Sequence, residues 1–363
     1  MPVCLISNPS SYDRRRCTKS TDEEPPHDCQ EWSGKHLAIG LINNMSDGAL
    51  EATERQFLSL LQAASDGIPV CLSLYSMPDV PRGNAGAQRV SEFYSSAENL
   101  GDMSIDGLIV TGREPLHQSL EHEPYWESFK RILDWARENT YSTVWSCLAA
   151  HAAILYQDGI ARAKSDHKHS GVFDCVKLSE HPLIAGTPSR FKLPHSRWNG
   201  IHEEELTGSG YTVLTRAADA GVDTFIRQYK SMFVYFQGHP EYESNTLQLE
   251  YRRDVGRYLT GETSAYPSIP HGYFDRDTET ALAALEQQTG THPREELVAK
   301  VIAALEKADI KCAWHSTAVR IYRNWLQYIW ARKEQRVQSR DAAATNGRNV
   351  SLPSLVAARG ISA

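Results

Sequence analysis

Short apolar runs that alternate with stretches of helical length constrain this chain more than any other feature. HLAIGLIN (36–43) is a compact apolar run ending in a polar Asn pair, as a buried strand feeding a loop would be. Over 49–64, Leu50, Phe57, Leu58, Leu60 and Leu61 recur at the three-and-four spacing of an amphipathic helix, and 69–75 supplies a second strand. The cycle returns with DGLIVTG (106–112), a helix over 125–138, the strand STVWSC (142–147) and an Ala- and Leu-rich helix over 148–156. YTVLT (211–215), DTFIR (223–227) and MFVYFQG (232–238) read as later strands, followed by a helix over 244–259. This alternation predicts an α/β fold, a mostly parallel sheet flanked by helices. Helical composition over 279–289, 294–308 and 317–332 adds a helical C-terminal region.

Residues 1–34, rich in Ser, Pro, Asp and Glu with the breaker Glu23-Glu24-Pro25-Pro26, read as a loosely ordered extension. Residues 35–332 form one α/β domain that includes the C-terminal helices, and 333–363 a tail. An apolar content of 41% with 23% charged residues is that of a folded protein. The net charge of −7, with Lys and Arg scattered, argues against nucleic acid. The chain holds no apolar run of membrane-spanning length and no signal-type leader, so a cytoplasmic location is expected. Seven cysteines without a C-x-x-C pair point to reduced thiols, and neither a ligand cluster nor a Gly-rich phosphate loop suggests a metal or bound cofactor.

Chemistry concentrates where STVWSC meets the following helix. A cysteine at a strand-to-helix turn is held up at the carboxyl edge of the sheet, where the helix N-terminus favours a thiolate and the next backbone N–H, that of Leu148, faces a developing oxyanion. Cys147 occupies that place. A thiolate nucleophile requires a base, and the base an orienting acceptor. His239 and Glu241, in Gln237-Gly238-His239-Pro240-Glu241, follow directly on a strand and leave at the same edge. A buried free cysteine is more often a small hydrophobe, and a lone histidine more often a satisfied core or surface residue. The joint occurrence of both motifs in one α/β chain favours a Cys-His-Glu triad.

These residues, with INNMSDGALEATERQF (42–57), DGLIVTG, Ser170-Gly171-Val172-Phe173, Pro194-His195-Ser196-Arg197 and Glu250-Tyr251-Arg252-Arg253-Asp254, closely resemble the homoserine O-acyltransferases of the class I glutamine-amidotransferase-like, flavodoxin-like fold. The resemblance runs from about His36 to Trp330. It implies a ping-pong reaction of methionine biosynthesis in which Cys147 takes the acyl group from acyl-CoA as a thioester and L-homoserine removes it. His239 would be the general base and Glu241 its orienter, with Lys168, Ser196 and Arg253 contacting homoserine. Acyl-CoA would be a co-substrate, no other cofactor is implied, and a homodimer is expected. Trp325, Tyr328 and Trp330 suit either an interface or the core.

The chain departs from the family after the DGLIVTG strand. Relatives carry Gly-Ala-Pro there, with a Gly or Glu shortly beyond that goes with succinyl or acetyl preference. Here the run is Gly112-Arg113-Glu114-Pro115-Leu116-His117, so Leu116 stands at the discriminating position and the rule does not apply. Arg113 suits the free carboxylate of a succinyl group and Glu114 would repel it. Leu148 also replaces a frequent tryptophan, without loss of its N–H. Succinyl-CoA is the favoured donor and acetyl-CoA the alternative. Serine is an alternative acceptor, and an amidase-type hydrolase or a non-catalytic subunit of the same fold are more distant readings.

Overall fold

Parallel strands need helical crossovers, and each apolar run in the first half of the chain is followed by one. The computed structural model describes residues 3–6, 15–16, 35–289 and 293–348. Its first half contains β1 (Cys4–Ile6), β2 (Arg15–Arg16), β3 (Leu37–Ile42), α1 (Leu50–Ala64), β4 (Val70–Ser76), α2 (Asn84–Phe93), β5 (Ser95–Ser96), β6 (Gly107–Val110), α3 (Trp126–Asn139), β7 (Ser142–Ser146) and α4 (Leu148–Asp158). Then come β8 (Ala163–Lys177), β9 (Arg190–Gly200), α5 (Glu203–Gly208), β10 (Thr212–Val213), β11 (Thr215–Ala217), β12 (Gly221–Val222), β13 (Thr224–Gln228) and β14 (Met232–Phe236). Four helices follow: α6 (Thr246–Thr260), α7 (Arg276–Glu286), α8 (Arg294–Leu305) and α9 (His315–Arg348).

The main sheet has the order β10-β13-β14-β7-β6-β3-β4-β1-β2, with β5 against the end of β4. From β14 to β1 the neighbours are parallel, and antiparallel pairs occur only toward the two edges. Helices cover both faces, which is why the central strands are continuously apolar rather than alternating. On one face Leu108, Val110, Trp145 and Phe233 pack against α3 and α4. On the other, Ile39, Ile109, Val144 and Val234 pack against α1 and α9. Trp325 lies in that second core, 1% exposed, with its indole N–H donating to Ser142 Oγ at 2.9 Å, while Tyr328 and Trp330 pack partly buried against the same cluster.

A second, antiparallel sheet, β12-β11-β8-β9, builds a smaller layer with α6, α7 and α8 around Phe173, Leu193, Tyr251 and Trp314. The β8–β9 hairpin and α2 are elements that apolar periodicity does not reveal. β8 carries AKSDHKHS on its partly exposed half, and only Val172, Phe173 and Cys175 mark it as core. The YTVLT run divides between the sheets: β10 pairs with β13, and β11 pairs with β8.

Both ends of the expected domain differ from the sequence reading. β1 falls within the 1–34 extension yet pairs in parallel with β4, burying Val3 and Cys4. At the other end α9 runs to Arg348, past the boundary at 332, and Lys333 Nζ donates to His36 O and Asp106 Oδ2 at 2.7 and 2.6 Å. No helix of the described residues is long and apolar enough to cross a membrane.

Candidate active site

β7 and β14 are parallel neighbours with Ser146 opposite Phe236, so the residues that follow them emerge side by side. Cys147 is the N-cap of α4, with φ 51° and ψ −111°. Positive φ is uncommon for a residue with a side chain and is held here by the surroundings. Cys147 N–H donates to Phe236 O at 2.7 Å, and its own carbonyl accepts from Ala150 N–H at 3.0 Å, starting the helix. This is the geometry of a nucleophile elbow.

The loop after β6 passes directly over this turn. A Cβ on Gly112 would lie 2.5 Å from Leu148 Cβ and 2.8 Å from Leu148 N, so only glycine permits the approach. The Leu148 N–H therefore borders a wall of the site at the start of a helix, where backbone donors lack helical partners.

His239 is placed by its backbone: its N–H donates to Pro194 O at 2.8 Å, and the N–H of Gln237 donates to Asp223 O at 2.9 Å. Its Nδ1 is 2.9 Å from Glu241 Oε1, an oxygen that also accepts from Ser146 Oγ at 3.3 Å. The ring is close enough to Cys147 for the two side chains to act on one another electrostatically. Tyr242 stacks on its other side, ring centres 4.2 Å apart. Burial opposes charge on the imidazole, but Cys147 and Glu241 outweigh it and hold its pKa well above the ordinary value. The three triad residues of the sequence reading are thus brought together.

Behind His239 lies a brace of buried polar groups. Asp223 Oδ2 accepts from Thr215 Oγ1 and Thr224 Oγ1 at 2.8 and 2.7 Å, and its Oδ1 is 3.3 Å from His195 Nε2. Burial pushes the Asp223 carboxyl up, yet His195 and the two hydroxyls hold it below the usual range. His195 Nδ1 accepts from Arg197 Nε at 3.3 Å, and Arg197, 5% exposed, also donates to Asn199 O and Ala220 O. Burial lowers the Arg197 pKa, and Cys147 is the largest influence supporting its charge. Cys175, His195 and Asp223 place donor atoms within 4.8 Å of one another. A guanidinium donates to the imidazole and two hydroxyls donate to the carboxylate, while His195 Nε2 and Asp223 Oδ1 face each other without a hydrogen-bond partner.

The three expected substrate contacts are all tied to acidic residues of α6. Lys168 sits at the irregularity between Lys164 and His169 in β8 and bonds Asp254 at 2.7 Å. Arg253 bonds the other oxygen of Asp254 at 2.8 Å. Ser196 Oγ donates to Glu250 Oε2, and the other oxygen of Glu250 accepts from Tyr242 OH at 2.7 Å. A continuous chain of contacts therefore runs from His239 through Tyr242 and Glu250 to Ser196. Sequence reasoning assigned no role to Glu250, although its place three residues before Arg253 on α6 puts both on one helix face.

The chain matches the family model described as homoserine O-succinyltransferase over residues 25–336. It is 46% identical over 290 residues to a homoserine O-succinyltransferase of Rhodopseudomonas palustris, covering 80% of this chain and 87% of that one. Identity to the homoserine O-succinyltransferase of Bradyrhizobium japonicum is 42% over 294 residues, covering 81% and 90%. A solved glutamine amidotransferase from Thermotoga maritima aligns with a TM-score of 0.44 at 11% identity, over 82% of this chain and 99% of that one. With a family model and relatives both matching over most of its length, the chain belongs to the homoserine O-succinyltransferase family.

Proposed function

We propose that the protein transfers a succinyl group from succinyl-CoA to the hydroxyl of L-homoserine, a step of methionine biosynthesis, by way of a Cys147 thioester. The observation that carries this reading is the constellation at the sheet edge: Cys147 on an elbow of positive φ after β7, and His239 after the neighbouring β14 with its Nδ1 2.9 Å from Glu241 Oε1. Family membership supplies the donor and acceptor.

In the first half-reaction the Cys147 sulfur attacks the thioester carbonyl of succinyl-CoA, and the Leu148 N–H stabilises the oxyanion. Collapse breaks the bond to CoA, and the proton on His239 goes to the departing sulfur. In the second, homoserine's hydroxyl gives its proton to His239 as its oxygen attacks the thioester, and Cys147 leaves as the thiolate. Glu241 keeps the imidazole in the tautomer and orientation that both steps require. Arg253 and Lys168 meet the α-carboxylate of homoserine, Ser196 positions it, and Glu250 receives its α-ammonium, giving each charge of the zwitterion an opposite partner. No cofactor is needed beyond the CoA co-substrate. A homodimer in the cytoplasm is part of the same proposal and rests on the family resemblance.

Intact-protein mass spectrometry tests the reading. Wild type mixed with succinyl-CoA should gain a succinyl adduct that homoserine discharges, Cys147→Ala should gain none, and acetyl-CoA should label more weakly. A reactive thiol that takes no acyl group from either donor would sink the proposal.

A further inference from the structure

The loop from Gly112 to Tyr125 starts against the nucleophile's turn, and two arginines with unpaired buried nitrogens belong to it or bond to it. Arg162, at the end of the α4–β8 connection, donates from Nη2 to Gln118 O at 3.0 Å, while its Nη1 is buried with no acceptor. Arg113 donates from Nη1 to Pro81 O at 3.3 Å, while its Nε is likewise buried and unsatisfied. Arg162 is thus tied to the middle of the loop and Arg113 stands at its start, next to Gly112, which lies against Leu148 of the elbow; both guanidiniums also act electrostatically on the phenol of Tyr125. Arg162 also feels the charge of Cys147. Buried donors left unpaired are costly, and their convergence beside a nucleophile points to an acceptor brought by a ligand.

The surrounding charges agree. Glu123 is the acid nearest the pair in its effects, acting on both Arg162 and Tyr125. Its Oε1 is occupied by the N–H groups of Leu116 and His117 at 2.7 and 2.8 Å, and its Oε2 is buried without a donor. One carboxylate against two guanidiniums leaves a positive charge over. Glu114, which from sequence would repel an anionic acyl group, is instead drawn to Arg257 at 3.1 Å. The other cations around the site have other places: Lys168 and Arg253, held on Asp254, serve the homoserine end, and Arg197 is engaged with His195, Asn199 and Ala220.

We propose that Arg162, flanked by Arg113, receives the free carboxylate of the succinyl group carried on Cys147 and thereby sets the preference for a four-carbon diacid donor. A succinyl thioester extends roughly 5 Å from sulfur to its distal carboxyl carbon, by standard bond lengths. Arg162 need not touch Cys147 to hold that end. The inference rests on the succinyl-transfer reading and assigns a residue to the part of the donor that distinguishes it from acetyl-CoA. It also accounts for a chain that carries Leu116 where relatives discriminate by Gly or Glu: the selecting charge comes from the α4–β8 connection.

The test compares succinyl-CoA with butyryl-CoA, which matches it in length and ends in a methyl group, using homoserine as acceptor. Wild type should prefer succinyl-CoA by about 100-fold in kcat/KM, the loss associated with removing a charge-assisted hydrogen-bonded pair. In Arg162→Met that ratio should fall toward one, and in Arg162→Lys it should fall only in part. A ratio unchanged in Arg162→Met, with both donors slowed equally, would assign Arg162 to bracing the loop through Gln118 and overturn the proposal. So would a wild-type ratio near one, a measurement that needs no variant to fold. Wild type that transfers neither succinyl nor any other acyl group to homoserine would overturn the transferase reading itself and this inference with it.

Discussion

Cys147 has a side chain where backbone geometry favours none: its φ of 51° is shared among the described non-glycine residues only by Asp66, in the turn after α1. Such a conformation costs on the order of 1–3 kcal/mol and persists where the surroundings over-determine it. Here Phe236 O, Gly112 and the first turn of α4 do so. Removing the sulfur alone leaves the cost in place, since Cβ remains. Cys147→Gly should therefore be more stable than Cys147→Ala by about 1 kcal/mol, reversing the order found at ordinary positions. Urea unfolding of the two variants measures the difference, and alanine proving the more stable would show that the elbow is not strained.

At the scale of elements, the substrate wall depends on one close approach. Gly171 in β8 has φ +144°, its Cβ position would lie 2.3 Å from His271 O, and the backbone of His271 bridges β8 through Ser170 O at 2.8 Å and the Val172 N–H at 2.7 Å. Gly171→Ala should push the segment around His271 from the hairpin that carries Lys168 and Ser196. The expected result is a loss of at least about 2 kcal/mol in stability together with a raised KM for homoserine, and unfolding and steady-state kinetics read the two separately. This contact illustrates what the sequence leaves hidden. β3, β6, β7 and β14 are legible because burial on both faces makes them plain apolar runs, and Cys147, His239 and Glu241 because each follows such a run. The β8–β9 hairpin is rich in polar and charged residues that are mostly half-buried or buried rather than exposed, and reads as polar loop. Glu250 and Arg162 look like any charged residue until the fold sets Ser196 and Tyr242 against one and the underside of the 112–125 loop against the other.

For the molecule as a whole, buried neutral imidazoles set the response to acid. His151 is 2% exposed, with Nε2 3.0 Å from Gln237 Oε1, and burial, followed by Arg197, lowers its pKa to about 3. Burial likewise lowers His169 to about 4 and depresses His195. The unfolded chain takes up protons at these groups near the ordinary value of 6.5, while the folded chain refuses them until the lowered values are reached. The contribution of these three groups should therefore be full above pH 6.5 and decline as pH falls from there, with His151 alone contributing a slope of up to about 1.4 kcal/mol per pH unit. His239 runs the other way: its raised pKa contributes stability that is fully present below 6.5 and lost only at higher pH, so it adds no slope in the acid range. His151→Gln should flatten the decline between pH 6.5 and 4, whatever it does to stability at pH 7, and denaturation midpoints across that range would show an unchanged slope if His151 is not responsible.

The packing of α9 has a consequence for how the chain is made. Ile329 and Trp325 lie against Gly107, where an added Cβ would come within 2.6 Å of Ile329 Cδ1, and Tyr322 stacks on Phe236, the residue that holds the elbow. A ribosome that has released everything through Trp314 has thus delivered every triad residue but left one face of their sheet covered only in part, by α1. Domains settle as units once their last packing surface emerges. The nucleophile should consequently mature only after residues 315–333 clear the exit tunnel, so nascent chains would carry the reactive cysteine without displaying a finished thioester-forming centre to cellular acyl-CoA.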